Sequence, residues 1–379
     1  MLHMFIAPLL LIHASCASNR LEKPLPQRRS PATGIEWAET TLTLVRERGI
    51  YARMIRLADG GILCSYDCGG KIYVSRSDDN GRTWGEETPA ASAIHGGATN
   101  AELLQLEDGW ILLSFNERPG DKLHPYAIKL CISRDNARTW SAPETLFEAG
   151  ILFEDGCWEP AQIQLPSGEV QLYFANESPY RKSNEQEISM MRSFDNGLTW
   201  SAPERVIFRI GGRDGMPSPL CLLNGKGIAV AVEDTAFGLP FKPSIAHTSL
   251  EANWRDGFVA WDSPRRRPGL AQQLPPLVYG GAPCLRQLPT GETVLSFQCN
   301  EGREHPQMVV CLGDSSAANF GSLSVPFKLP TNVAGLWNSL LIKDADTVTA
   351  VSGTTINGKW GIWAIDGHIV RNAPATAEH

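Results

Sequence analysis

The sequence has 379 residues, 42% of them hydrophobic, with 34 basic against 41 acidic residues and a formal net charge of −7. A chain of this length can bury a large core in a single all-β domain, and its mild, dispersed charge offers no clustered basic face for nucleic acid. The short run Arg265-Arg266-Arg267 lies between prolines and reads as a solvated loop.

In chain order, residues 4–17 are apolar and end in Ala14-Ser15-Cys16-Ala17-Ser18, the pattern of a secretory h-region and cleavage site, although no Lys or Arg precedes it. Residues 1–18 are therefore expected to be a signal peptide of a secreted or periplasmic protein, with Cys16 as an alternative lipoprotein acceptor. Residues 19–44 read as a linker or strand and 45–372 as the main domain. No other stretch is long and apolar enough to span a membrane. The nine cysteines form no disulfide framework. Cys131, Cys221, Cys284 and Cys311 sit in strand-like runs as small core residues. Cys64 and Cys68 have no second pair at zinc spacing, so neither a metal nor a cofactor is expected.

An eight-residue pattern then recurs three times, as Ser77–Trp84, Ser133–Trp140 and Ser193–Trp200, each reading S-x-D-x-(G/A)-x-T-W. A repeat of this kind signals a modular architecture. The pattern resembles the Asp-box of sialidases and related propeller glycosidases. Its chemistry is local: Asp accepts backbone N–H bonds in a tight turn, and Gly supplies a positive φ. These aspartates are thus read as turn staples. Ala137 replaces Gly in the second copy, so that turn should be strained or differently shaped. Weaker versions follow at Ser249–Trp254 and Ser315–Phe320.

A second repeated unit, an apolar strand and a Gly-bearing tight turn followed by another strand, begins near Ile55, Leu104, Ile163, Cys221, Leu285 and Leu341. Six such hairpins with almost no helical periodicity predict an all-β, six-bladed β-propeller of four-stranded antiparallel blades. In that arrangement the hairpins and Asp-boxes share one face, and the opposite mouth is lined by starts of inner strands and ends of second strands. The starts fall at Tyr51, Asn100, Glu159, Met216, Ala282 and Trp337. The ends fall near Asp67, Glu117, Glu177, Glu233 and Glu301, a rim of carboxylates.

Glu159, beside Trp158, and Glu233, at the end of the apolar run Ile228–Val232, are the candidate catalytic pair. Partial desolvation raises a carboxyl pKa toward that of a general acid, and two carboxylates facing one cavity suit glycoside hydrolysis. The same residues would also serve as rim partners for Arg53 or Arg213. Tyr51, Arg53, Asn100, Arg213 and Asp214 are candidate sugar-hydroxyl ligands; Trp158, Tyr279 and Trp337 are candidate stacking faces. His95 is a weaker candidate, and Phe237–Phe241 reads as either an aromatic lid or a packed crossover.

The runs Trp158-Glu159-Pro160, Gln164–Glu169, Arg213-Asp214-Gly215-Met216-Pro217 and Val232-Glu233-Asp234 resemble glycoside hydrolase family 93, over about residues 45–365. The resemblance implies a retaining exo-α-L-arabinanase on a six-bladed propeller, with Glu159 as nucleophile and Glu233 as acid/base. Their carboxyl groups would then lie roughly 5–5.5 Å apart. It implies a polysaccharide or oligosaccharide substrate, no cofactor and a monomer. Two alternatives stand beside it. One is a sialidase, although the last blade opens with Leu336-Trp337-Asn338 and no Tyr. The other is a carbohydrate-binding propeller without catalysis, since a fold does not fix a function.

Overall fold

The computed structural model describes residues 30–372 except 224, 226 and 236–238. The expected signal segment, Cys16, Phe237 and Gly238 lie outside the described residues. Six antiparallel sheets form the blades of a propeller, five of them each from four consecutive strands and the sixth from both ends of the described chain. Their inner strands are Ile50–Arg56, Gly97–Gln105, Cys157–Gln164, Asp214–Cys221, Gly280–Gln287 and Gly335–Ile342. Each packs against the inner strands of both neighbouring blades, the sixth against the first, so the ring is closed.

Every inner strand carries the same irregularity near its start. The register slips between Ile50 and Arg53, Thr99 and Glu102, Trp158 and Ala161, Gly215 and Ser218, Gly281 and Cys284, and Leu336 and Ser339. Within each slip one non-glycine residue is left-handed: Tyr51, Asn100, Glu159, Met216, Ala282 or Trp337, with φ between 46° and 56°. A bulge of this type turns a side chain out of the pleat and re-aims it. These are the six positions read from the sequence as the starts of the inner strands.

The Asp-boxes close the turns after the third strands of blades 1–3. Asp135 accepts the Thr139 N–H (2.9 Å) and hydroxyl (2.5 Å), while Ser133 Oγ accepts the Ala137 N–H (2.9 Å). Ala137 takes φ 66° where the other copies have Gly81 at 88° and Gly197 at 87°, and the turn keeps the same bonds. It is strained, therefore, but not reshaped. Asn136 and Asn196 donate to Asp59 (2.6 Å) and Asp108 (2.8 Å) in the hairpins of the preceding blades. The boxes thus lie on the hairpin face, away from the mouth. In blade 5 the staple shifts one residue earlier than expected, to Asp314, which accepts the Ser316 N–H at 2.9 Å and Asn319 Nδ2 at 2.7 Å.

Within 19–44, expected as linker or strand, two strands are described. Ala32–Trp37 forms the outer strand of blade 6 by pairing with Lys359–Arg371, and Thr43–Arg46 pairs with the same strand. Blade 6 would otherwise expose an unpaired edge. Ile35 is buried in the core of blades 5 and 6, and Trp37 Nε1 donates to Ser324 Oγ of blade 5 at 3.1 Å. Ile35→Ala should therefore destabilise the protein by about 2–4 kcal/mol, read by urea denaturation; a solvated linker would show no change.

Candidate active site

At the head of each bulge is a backbone N–H that the bulge removes from the ladder. In four blades a polar side chain at the end of the preceding blade's second strand accepts it. Asp67 takes the N–H of Asn100 (2.7 Å), Asn116 that of Glu159 (2.7 Å), Glu233 that of Ala282 (2.9 Å) and Gln298 that of Trp337 (2.6 Å). The equivalent residues in blades 3 and 6 are Ala175 and Gly353, which have no polar side chain. The strand-end carboxylates expected from the sequence were therefore not all equivalent. Glu117 and Glu177 lie one and two residues past the clamping position, and Glu301 lies beyond its strand, which ends at Cys299.

Ala175 offers no such clamp to Met216, and the Met216 N–H favours the anion of Glu159. Glu159 and Glu233 are both partly exposed to the mouth. Burial pushes the Glu233 carboxyl up to about 7, the charge of Glu159 adds to the rise, and the Ala282 N–H and Arg213 oppose it. Glu159 is also raised by burial, against Arg118 and the Met216 N–H, which favour its anion. Two glycines make room for Glu233. A Cβ on Gly215 would stand 2.9 Å from Glu233 Oε1, and one on Gly281 would stand 2.6 Å from Oε2 and 2.3 Å from the Tyr279 hydroxyl. On the same ring of bulges, Tyr51, Met216 and Ala282 form a buried apolar cluster packed with Ile50 and Trp337.

The other sequence candidates divide. Arg213, Tyr279 and Trp337 are partly exposed. Arg213 binds Glu177 at 2.6 Å and Asn184 Oδ1 at 2.9 Å, and Tyr279 accepts from Gln298 Nε2 at 3.3 Å. The remaining five are buried. Arg53 lies over the Tyr51 ring at 3.8 Å and is paired with Glu102 at 3.1 Å. Asn100 Oδ1 accepts from Arg118. Trp158 does not offer a sugar face: it is packed between Tyr126 and Phe153, lies under Arg118, and its indole N–H is on Glu177 at 2.9 Å. Asp214 is not a hydroxyl ligand but one arm of a fully buried triad with Arg266 and Asp234. The same triad corrects the reading of Arg265–Arg267 as a solvated run, because Arg266 is buried there. His95 is exposed and stacked on His124, with ring centroids 3.5 Å apart. In the segment read as a lid or crossover, Leu239 is exposed and Phe241 half-buried, its carbonyl accepting the Gly280 N–H at 2.8 Å.

The sequence reading missed the clamps. Their only signal is a D, N, E or Q closing an apolar run, and the distances to their partners vary with loop length.

A family model described as a BNR repeat-like domain matches residues 126–267. No curated protein matches the sequence. Among solved structures, an α-L-arabinanase of Penicillium chrysogenum complexed with arabinobiose superimposes with a TM-score of 0.64 at 16% identity, covering 91% of this chain and 99% of its own. A GH93 α-L-arabinofuranosidase of Fusarium graminearum with arabinobiose gives 0.63 at 18% identity, covering 90% and 96%. The NanB sialidase of Streptococcus pneumoniae gives 0.58 at 13% identity, covering 89% and 71%. At these identities the likeness is one of fold.

The triad yields a test that separates structure from ligand binding. Arg266→Met strands two buried carboxylates and should destabilise the protein by about 3–5 kcal/mol. Denaturant titration would read this loss, and adding Asp214→Asn should recover part of it.

Proposed function

We propose that the protein is a retaining, exo-acting glycoside hydrolase acting on α-L-arabinofuranosyl chains. The observation that carries the reading is the Glu159–Glu233 pair. One carboxyl is held near pH 7 by burial and by the charge of the other, whose anion is favoured by Arg118 and a backbone N–H. Environments that treat two carboxyls differently assign an acid and a nucleophile.

Glu159 attacks the anomeric carbon as Glu233 gives its proton to the leaving glycosidic oxygen, forming a glycosyl ester. Glu233, now ionised, takes a proton from water as that water displaces Glu159. The chemistry calls for no cofactor, and one chain builds the whole mouth, in keeping with a monomer. An exported enzyme acting on polymer outside the cell goes with this reading and with the apolar segment at 4–17.

Neutral sugar is favoured over sialic acid. Arg53 and Arg213 are already paired with Glu102 and Glu177, so they make no open anion site. Tyr51, the one tyrosine on the ring of bulges, is buried, and its hydroxyl pKa is raised by burial and by Glu159, which suits it poorly as a nucleophile. A purely binding propeller would gain nothing from desolvating two acids.

The kcat/KM profile should rise as Glu159 ionises and fall above about pH 7 as Glu233 loses its proton. Glu233→Gln, which keeps the bond to Ala282, should remove the basic limb and lower turnover of linear arabinan by roughly 10²–10⁴-fold. With azide and an aryl arabinofuranoside, Glu233→Ala should give a glycosyl azide of retained configuration and Glu159→Ala one of inverted configuration. Turnover of sialosides but not arabinan, or full activity in either variant, would refute the proposal.

A further inference from the structure

Tyr279 stands beside the carboxylate pair, and its neighbours fix the direction of its hydrogen bonds. Its backbone N–H is tied to Asn300 Oδ1 at 2.8 Å. Its hydroxyl meets Gln298, a side chain that is fully buried. A backbone N–H can only donate, so the amide oxygen of Gln298 must face the Trp337 N–H, at 2.6 Å. The other end of that amide, Nε2, then donates to the Tyr279 hydroxyl oxygen at 3.3 Å. The phenolic proton is therefore turned away from Gln298, and among the described residues it has no acceptor. Burial, then the charges of Glu233 and Glu159, raise the Tyr279 hydroxyl, so it keeps its proton at neutral pH.

Glu233 Oε2 is close by. The point where a Gly281 Cβ would stand is 2.3 Å from the Tyr279 hydroxyl and 2.6 Å from Glu233 Oε2, so a glycine there lets the two oxygens share this space. Oε2 already accepts the Ala282 N–H at 2.9 Å, and a carboxylate oxygen has a second lone pair for another donor. The charged groups acting on Glu233 are Glu159 of blade 3 and Arg213, just before the inner strand of blade 4. We propose that Tyr279 is a positioning residue for Glu233, its hydroxyl turning to Oε2 when Glu233 ionises and swinging free when Glu233 is protonated. Only the direction of one O–H changes; no covalent bond is made or broken. A donor to the anion lowers a carboxyl pKa, so this bond makes Glu233 a readier acid than burial and Glu159 alone would leave it. The bond itself needs no hydrolysis, but its use in catalysis rests on the proposed assignment of Glu233 as acid/base.

The titration of Glu233 is read directly by isotope-edited NMR of the Glu side-chain carboxyls, its signal assigned by loss in Glu233→Gln. Tyr279→Phe, which keeps the ring, should raise the titration midpoint by roughly one pH unit. Gln298→Glu still accepts the Trp337 N–H but offers the Tyr279 hydroxyl an acceptor, drawing its proton away from Glu233. In that background Tyr279→Phe should move the midpoint no further. In kinetics, Tyr279→Phe should lower kcat/KM on linear arabinan by roughly 3- to 10-fold and carry its basic limb to higher pH. An aryl arabinofuranoside whose phenol leaves without protonation should be spared. An unmoved midpoint, equal shifts in the two backgrounds, or equal slowing of both substrates overturns the inference, without touching wild-type cleavage of arabinan. A raised midpoint in a protein whose wild type hydrolyses nothing supports the Tyr279 bond and sinks the hydrolase.

Discussion

The left-handed residue at the head of each inner strand is the constraint around which the mouth is arranged. Six non-glycine residues hold a conformation that costs roughly 1–2 kcal/mol each. All six lie where the inner strands meet the mouth. What offsets the cost is cooperative. Each bulge is enclosed by the neighbouring blades, and in four of them a side chain from the preceding blade takes up the released N–H. Blade packing and mouth geometry therefore stand or fall together.

The candidate chemistry arises from departures from that repeat. Blade 3 places Ala175 where its neighbours place a clamp, and the Met216 N–H of blade 4 instead favours the Glu159 anion. Blade 4 keeps its clamp but builds it from an acid, with Gly215 and Gly281 clearing space around it. One omission and one substitution in adjacent blades are enough to bring two carboxyls under each other's influence. The asymmetry of their surroundings, with a cation beside Glu159 and apolar strand around Glu233, follows from the same local sequence.

Much of the frame was legible in the sequence because its signals are short-range. The Asp-boxes, the Gly-bearing hairpins and the six inner-strand starts all rest on contacts within a few residues, and each is where its pattern indicated. Glu233 could be singled out because the apolar run before it fixes its strand end. What could not be read depends on which blade meets which. Asp214 looked like an open polar residue beside a glycine, yet Arg266, far along the chain, buries it in a charged triad. Trp158 looked like a stacking platform until Tyr126 and Phe153 enclosed it. Ala32–Trp37 could be read only as linker or strand, because among the described residues it pairs with Lys359–Arg371 at the far end of the sequence.

Glu233 has two unrelated duties: it is a joint between blades 4 and 5, and on the proposed reading it is the proton donor. The joint asks only for an oxygen that can accept an N–H, and Gln298 satisfies the same demand one blade later. On that reading, a single-nucleotide change from Glu to Gln would silence the chemistry while leaving the joint intact. A fold that separates its mechanical requirement from its chemical one in this way gives evolution a short, reversible path between an enzyme and a lectin.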